Sequence, residues 1–208
     1  MLISAMKCAG IGLNADEVEI LTHPTDFYNQ LLRNIENAQN RLVLSSLYIG
    51  GDDMAVRLYQ TIEDFCARGG EALIILDYNR GQRGARSGFD CHTLNFSKFK
   101  KTTLISSSRK FLSEIRQKYP GKLRLKFYKS VLQDQSKIAS KIPQLKETVS
   151  TQHTKIYACD DKLILSGANL EKAYFMNRQD RYIQFESKNL VDFFVNLGQG
   201  VVEVTFQK

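Results

Sequence analysis

The sequence has no tryptophan, three prolines, three histidines and four cysteines in 208 residues. The cysteines (Cys8, Cys66, Cys91 and Cys159) lie far apart and form no C-x-x-C pair. That spacing argues against a disulfide framework or a Cys-rich zinc site and fits a reducing compartment. Cys91-His92 has no second pair at zinc spacing, so no metal or cofactor site is expected. No apolar run approaches the roughly 20 residues that span a bilayer, so any membrane contact is expected to be peripheral. Neither a G-x-S-x-G elbow nor a P-loop occurs. With 43% apolar and 25% charged residues the chain has ordinary globular proportions. One domain from residue 16 to 208 is expected, behind a tail of residues 1–15. Met1–Asn14 carries one Lys and no Arg, which makes it a poor secretory signal and a poor transit peptide.

The formal charge is +7, and it is unevenly placed. Lys98–Lys146 holds 14 basic and 2 acidic residues, against 15 basic and 20 acidic elsewhere. A basic segment on a mildly acidic body suggests a polyanionic partner, either lipid phosphates or nucleic acid. A solvated lysine-rich face is the plainer alternative.

Apolar spacing predicts alternating elements. A strand is expected at Val18–Leu21, then a helix capped by Thr25 or Asp26 with Phe27, Leu31, Ile35 and Ala38 on one face. Leu42-Val43-Leu44 reads as a buried strand. Asp52 caps a second helix that stops at Gly69-Gly70, and Ala72–Leu76 is again a strand. A Gly/Arg-rich loop follows from Asn79 to about Cys91. A helix near Ser108–Tyr119, a strand at Leu123–Tyr128 and a polar surface loop at Ser130–Ser150 come next. The remainder reads as strands 154–158, 162–165 and 181–185, a helix 188–197 and a last strand Val201–Phe206. The predicted fold class is α/β, a sandwich with a mixed, mostly parallel central sheet flanked by helices.

His153-Thr154-Lys155 carries the most chemistry. On a strand, alternate side chains share a face, so His153 and Lys155 would point the same way. An imidazole can attack phosphorus or move protons, and an ammonium beside it neutralises oxyanion charge. Asp160 follows at the turn, and Ser166-Gly167-Ala168-Asn169 supplies a hydroxyl, a close-approach glycine and an amide. Arg80, Arg83 and Arg86 lie in a Gly-spaced loop behind a strand, where guanidinium groups can grip phosphate in bidentate fashion. Arg178, Asp180 and Arg181 suit either a structural ion-pair network or substrate contact. H-x-K alone also occurs by chance on strands.

The whole string, H-x-K-x4-D followed by S-G-A-N, resembles the signature of the phospholipase D superfamily. The likeness narrows with Ser45-Ser46-Leu47-Tyr48-Ile49-Gly50, Asp77-Tyr78-Asn79-Arg80-Gly81-Gln82-Arg83-Gly84, Asn169-Leu170, Tyr174-Phe175 and Asn177-Arg178-Gln179-Asp180-Arg181-Tyr182. These strings are similar to the eukaryotic-type phosphatidylglycerophosphate synthases, from about residue 16 to the end. Where many superfamily members have G-S-x-N, this chain has Ser before G-A-N, so Ser166 is offset from the usual serine position. The resemblance implies a phospholipase D-like fold, with transfer of a phosphatidyl group from CDP-diacylglycerol to glycerol 3-phosphate and release of CMP. It implies His153 as nucleophile or its proton-transfer partner, Lys155 and Asn169 on phosphate, and Asp160 orienting a histidine. Ser166, Arg80, Arg83, Arg178 and Arg181 are candidate phosphate contacts. It further implies no cofactor, a mitochondrial location at the inner-membrane surface, and lipid rather than nucleic acid as substrate.

Relatives of such synthases carry two H-x-K motifs, whereas His153 is the last histidine here and neither His23 nor His92 has Lys two residues on. A second half, from the same gene product or from another copy of the chain, is therefore expected as partner. Two other readings stay open: a homodimeric nuclease or phosphodiesterase, and an inactive half that docks at anionic membranes. The basic segment should adsorb to anionic bilayers at ~1 kcal/mol per basic residue close to the surface. Vesicle sedimentation at low and high salt checks this, and equal binding to neutral vesicles would exclude the electrostatic account.

Overall fold

Leu42-Val43-Leu44 and Ala72–Leu76 are apolar at consecutive positions, as strands covered on both faces must be. In the computed structural model, which describes residues 10–78, 80–81, 108–128 and 152–203, both runs lie at the centre of a seven-stranded sheet. Its strands are β1 (Val18–Leu21), β2 (Arg41–Ser46), β3 (Glu71–Asp77), β4 (Leu123–Tyr128), β5 (Ile156–Cys159), β6 (Lys162–Ser166) and β7 (Tyr182–Glu186). The helices are α1 (Pro24–Asn37), α2 (Asp53–Ala67), α3 (Ser108–Lys118), α4 (Lys172–Met176) and α5 (Lys188–Glu203). The sheet order is β1-β7-β6-β5-β2-β3-β4.

The two sheet faces are separate cores. Leu42, Leu44, Ile74, Leu76, Tyr157 and Tyr182 meet α1, α2, α3 and α4 on one side. Val43, Leu73, Ile75, Ala158 and Leu163 meet Val191 and Val195 of α5 on the other. Phe27 sits at the middle of the larger core, stacked on Tyr182 at 4.9 Å and tilted against Tyr157 at 5.6 Å. Each such aromatic removes some 150–250 Å² from water and anchors its helix on the sheet.

The α/β sandwich with a mixed sheet is as expected, but mostly parallel is corrected. Only β2–β3 and β3–β4 pair parallel, and the other four pairings are antiparallel. Parallel pairing joins β2, β3 and β4, whereas the tight turn at Asp160-Asp161 folds β5 directly onto β6. Asp52 caps α2 by accepting from Ala55 N at 2.9 Å, as expected. At α1 the cap is His23 with Pro24 first in the helix, and the Asp26 carboxylate accepts from His23 N. Val201–Glu203 continue α5 instead of forming a strand, because Gly198 lies over Ile75 and Ile156 and packing carries the helix through it. The loop after residue 81 with Arg83, Arg86 and Cys91-His92, the Ser130–Ser150 segment and residues 204–208 lie outside the described residues, as does much of Lys98–Lys146.

Asp160 holds the edge of the sheet where β2 begins. Its carboxylate accepts from the backbone N–H groups of Gln39, Asn40 and Arg41 at 2.7, 3.0 and 2.9 Å. Its backbone is left-handed, φ 48°, a conformation Asp tolerates better than most residues. Arg41 returns a hydrogen bond to the Asp160 carbonyl and pairs with Asp192 of α5, which Lys188 also contacts. Replacing Asp160 with Ala should cost about 1–3 kcal/mol, since solvent can serve part of the lost bonding. Thermal unfolding should fall by about 2–10 °C at this chain length. An unchanged melting temperature would refute the structural role.

Candidate active site

Chain direction decides which residues can meet. β2, β3 and β6 run toward one edge of the sheet, while β5 and β7 start from it. The residues after Ser46, Asp77 and Ser166 therefore converge with those before Ile156 and Tyr182. His153, Lys155, Ser166, Asn169, Arg80, Arg178 and Arg181 all fall at this edge. Asp160 does not: it lies at the opposite end of β5, about 13 Å of strand away. The orienting role that the resemblance gave it is corrected, because three main-chain amides already engage its carboxylate there.

His153 and Lys155 precede β5 instead of lying on it, so the shared-face argument from strand alternation does not apply. The His153 side chain is exposed, whereas Lys155 is only 6% exposed. The Lys155 ammonium donates to the carbonyl of His153 at 2.8 Å. Burial pulls its pKa down from 10.5 to about 8, with the Asp180 carboxylate opposing the shift. Burial and the neighbouring Lys155 charge also lower the pKa of His153. The imidazole is thus held toward its neutral, nucleophilic form, next to a cation short of compensating charge.

The β6–α4 connection supplies the rest. Ser166 Oγ accepts from Ala168 N at 3.0 Å, and Tyr157 Oη donates to the Ala168 carbonyl at 2.5 Å. These bonds turn Asn169 inward, where it is 3% exposed and its Oδ1 has no hydrogen-bond partner. A buried carbonyl oxygen left unpaired costs about 1–3 kcal/mol and calls for a hydrogen-bond donor, leaving Nδ2 as the end of the amide that a phosphate oxygen can use. Gly167 is required by its neighbour: a Cβ there would stand 2.6 Å from an Asp180 carboxylate oxygen. Asp180 accepts from the N–H groups of Gly167 and Arg181, at 3.2 and 2.6 Å. The guanidinium of Arg178 lies 4.7 Å from the Tyr174 ring centroid, and Arg181 is exposed. Beside them Tyr48 Oη donates to Glu171 at 2.6 Å, and burial with that bond raises the tyrosine pKa.

Other residues at this edge gain a definite place. Asp180, read from the sequence as part of an ion-pair network or a substrate contact, is a carboxylate whose charge supports protonated Lys155 against burial. Ser45, Asp77 and Gln152 are buried polar residues immediately behind the histidine segment. Ser45 and Asp77 could have been suspected as polar residues terminating apolar strands. Gln152 carries no such signal. No group of three or more His, Cys, Asp or Glu suited to a metal ion occurs among the described residues.

The fold is a phospholipase D-like sandwich. It superimposes on the phosphatidylserine synthase of Haemophilus influenzae Rd KW20 with a TM-score of 0.65 at 22% identity, covering 89% of this chain and 37% of that one. A phospholipase D family member, Nuc from Salmonella typhimurium, matches with a TM-score of 0.56 at 14% identity, covering 88% and 93%. In sequence, the chain is similar to the mitochondrial CDP-diacylglycerol–glycerol-3-phosphate 3-phosphatidyltransferase of Gallus gallus, 32% identical over 207 residues. That alignment takes in 94% of this chain and 33% of the relative, so the chain spans about a third of the length of such proteins. No family model matches the sequence.

The buried ammonium makes anion binding depend on pH. An arriving anion favours the charged form, so binding takes up a proton once pH exceeds about 8. Sulfate, whose charge is constant from pH 6.5 to 9.5, should bind more weakly as pH rises through about 8. In Lys155→Met the profile should be flat. Calorimetric titration checks this, and wild-type binding that does not change with pH would rule out Lys155 as the anion's partner.

Proposed function

We propose that this chain is one histidine–lysine half of a phosphatidyltransferase that moves a phosphatidyl group from CDP-diacylglycerol to glycerol 3-phosphate. The observation that carries the reading is the convergence at one sheet edge of exposed His153, buried Lys155 and inward-turned Asn169. The likeness to phosphatidyltransferases over most of the chain supports the choice of substrates. Two steps follow from the chemistry. The neutral imidazole of His153 forms a bond to the phosphatidyl phosphorus as the pyrophosphate P–O bond breaks, and CMP departs with the electron pair. The primary hydroxyl of glycerol 3-phosphate then attacks the same phosphorus, the N–P bond breaks, and a base takes the hydroxyl proton.

Lys155 and the Nδ2 group of Asn169 would steady the charge on the phosphoryl oxygens, with Ser166, Arg80, Arg178 and Arg181 at the rim; Arg83 is a further candidate from the sequence. One imidazole cannot be unprotonated nucleophile and protonated acid at the same moment, so the second proton-transfer group would come from a second H-x-K half. An isologous dimer or the remainder of a longer protein could supply it. The relatives' names favour a mitochondrial setting, and the lipid donor requires a membrane surface. No described helix is long and apolar enough to cross a membrane.

The test measures CMP released from vesicles containing CDP-diacylglycerol, with and without glycerol 3-phosphate. Release should require the acceptor for steady turnover, and it should rise with self-association of the chain or addition of a second half. Lys155→Met, folded as the wild type, should lose about 10²–10³-fold in rate. Full turnover by that variant would overturn the role of Lys155. Concentration-independent turnover by a proven monomer would overturn the pairing.

A further inference from the structure

The His153 segment lies just where the sheet ceases to hold it. Antiparallel pairing of β2 with β5 ends at Ser45↔Ile156, and beyond that pair the two chains part. Residues 152–155 therefore have none of the ladder bonds that fix a strand, although His153 and Lys155 lie within them. Side chains take the place of the missing ladder. Gln152, 5% exposed, donates from Nε2 to Ser45 Oγ at 2.7 Å and accepts at Oε1 from Thr154 N at 3.3 Å. Ser45 Oγ donates in turn to the Thr154 carbonyl at 3.2 Å. Asp77, fully buried at the end of β3, accepts from Gln152 N at 3.2 Å and from Arg80 N at 2.9 Å.

The peptide groups on both sides of Thr154 are thus bound, and the Lys155 ammonium engages the carbonyl of His153 itself. Little is left to rotate except the exposed imidazole. Through its two oxygens Asp77 also ties the backbone at Arg80 to the backbone at Gln152, so the Arg-bearing loop and the histidine segment share one anchor. A bare loop would need to lose roughly 1–2 kcal/mol of backbone entropy per residue each time the site formed. Here that ordering is complete before substrate arrives.

We infer that Gln152, with Ser45 and Asp77, is a positioning residue: it replaces the interrupted β2–β5 ladder and holds the His153 backbone in attack register. The inference rests on His153 acting as nucleophile, as proposed above. Gln152 touches no reacting atom, and its effect passes through the peptide groups around Thr154.

The test compares Gln152→Ala, Ser45→Ala and the double variant with the wild-type chain. Exchange of the Thr154 amide hydrogen, followed by NMR, should quicken about tenfold in each single variant, the equivalent of one hydrogen bond. The Tyr157 and Ala158 amides inside β5 should exchange as in the wild type. Sulfate affinity should stay as in the wild type, and CMP release should lose about a hundredfold in kcat with KM for CDP-diacylglycerol unchanged, the signature of misplacement without lost binding. The double variant should be no worse than either single one, because the two side chains act as one unit. Ser45→Ala removes a single hydroxyl and keeps the question answerable if Gln152→Ala does not fold. Unchanged Thr154 exchange, a KM effect in place of a kcat effect, or simple additivity would overturn the proposal. A wild-type chain that releases no CMP even with a second H-x-K half added would overturn the transfer reading alone, and the exchange and sulfate measurements would still decide the positioning.

Discussion

A sheet covered on both faces has nowhere to keep a charge except at its ends. Each buried Leu, Ile or Val of β2, β3, β5 and β6 contributes roughly 1.5–3 kcal/mol by leaving water. An unpaired ammonium or carboxylate in the same place would cost far more than that. Apolar side chains therefore fill the strands until they stop, and polar chemistry begins at the first residues beyond. Strand direction then sorts those residues between two edges. One edge collects His153, Lys155, Asn169, Asp180 and Asp77. The other collects Arg41, Asp160, Asp161 and Asp192, which mainly bond one another and the backbone.

That sorting explains why Asp160 and Asp180 exchange expectations. Asp160 stands closer to His153 in sequence, yet a whole strand separates them, whereas Asp180 returns to the histidine's edge after β6 and α4. Closeness along a strand that crosses the sheet means distance in space. Asp180 also shows how a carboxylate can adjust a lysine without forming a tight pair. Its Oδ1 serves the amides of both Gly167 and Arg181, and its pull on Lys155 is outweighed by burial.

Much of the architecture was legible because single residues enforce it. Asp52 opens α2, Gly69 with φ 97° and Gly121 with φ 80° end turns no other residue adopts easily, and Asp160-Asp161 returns β5 on β6. Apolar runs marked the central strands. The strand count at the C-terminus was not legible, since Val201-Val202 suits a strand as well as a helix turn until Gly198 of α5 is seen to lie on Ile75 and Ile156. The positions of His153, Lys155 and Asn169 could be picked out from their motif. The polar support behind them could not: Gln152 gains its meaning from Ser45 and Asp77, more than a hundred and some seventy-five positions earlier in the chain.

The antiparallel seat of β1 on β7 has a consequence for how the chain is made. Val18–Leu21 register against Tyr182–Phe185, and Asn34 of α1 donates to Gln184, which donates in turn to Glu19. During synthesis β2, β3 and β4 can pair as they emerge, but β1 has no partner until β7 has left the ribosome. Such long-range closure is slow, because its entropy cost precedes any reward. Even once seated, β1 is the outer strand of the sheet with Val18 and Ile20 exposed, the kind of edge that invites association with other chains.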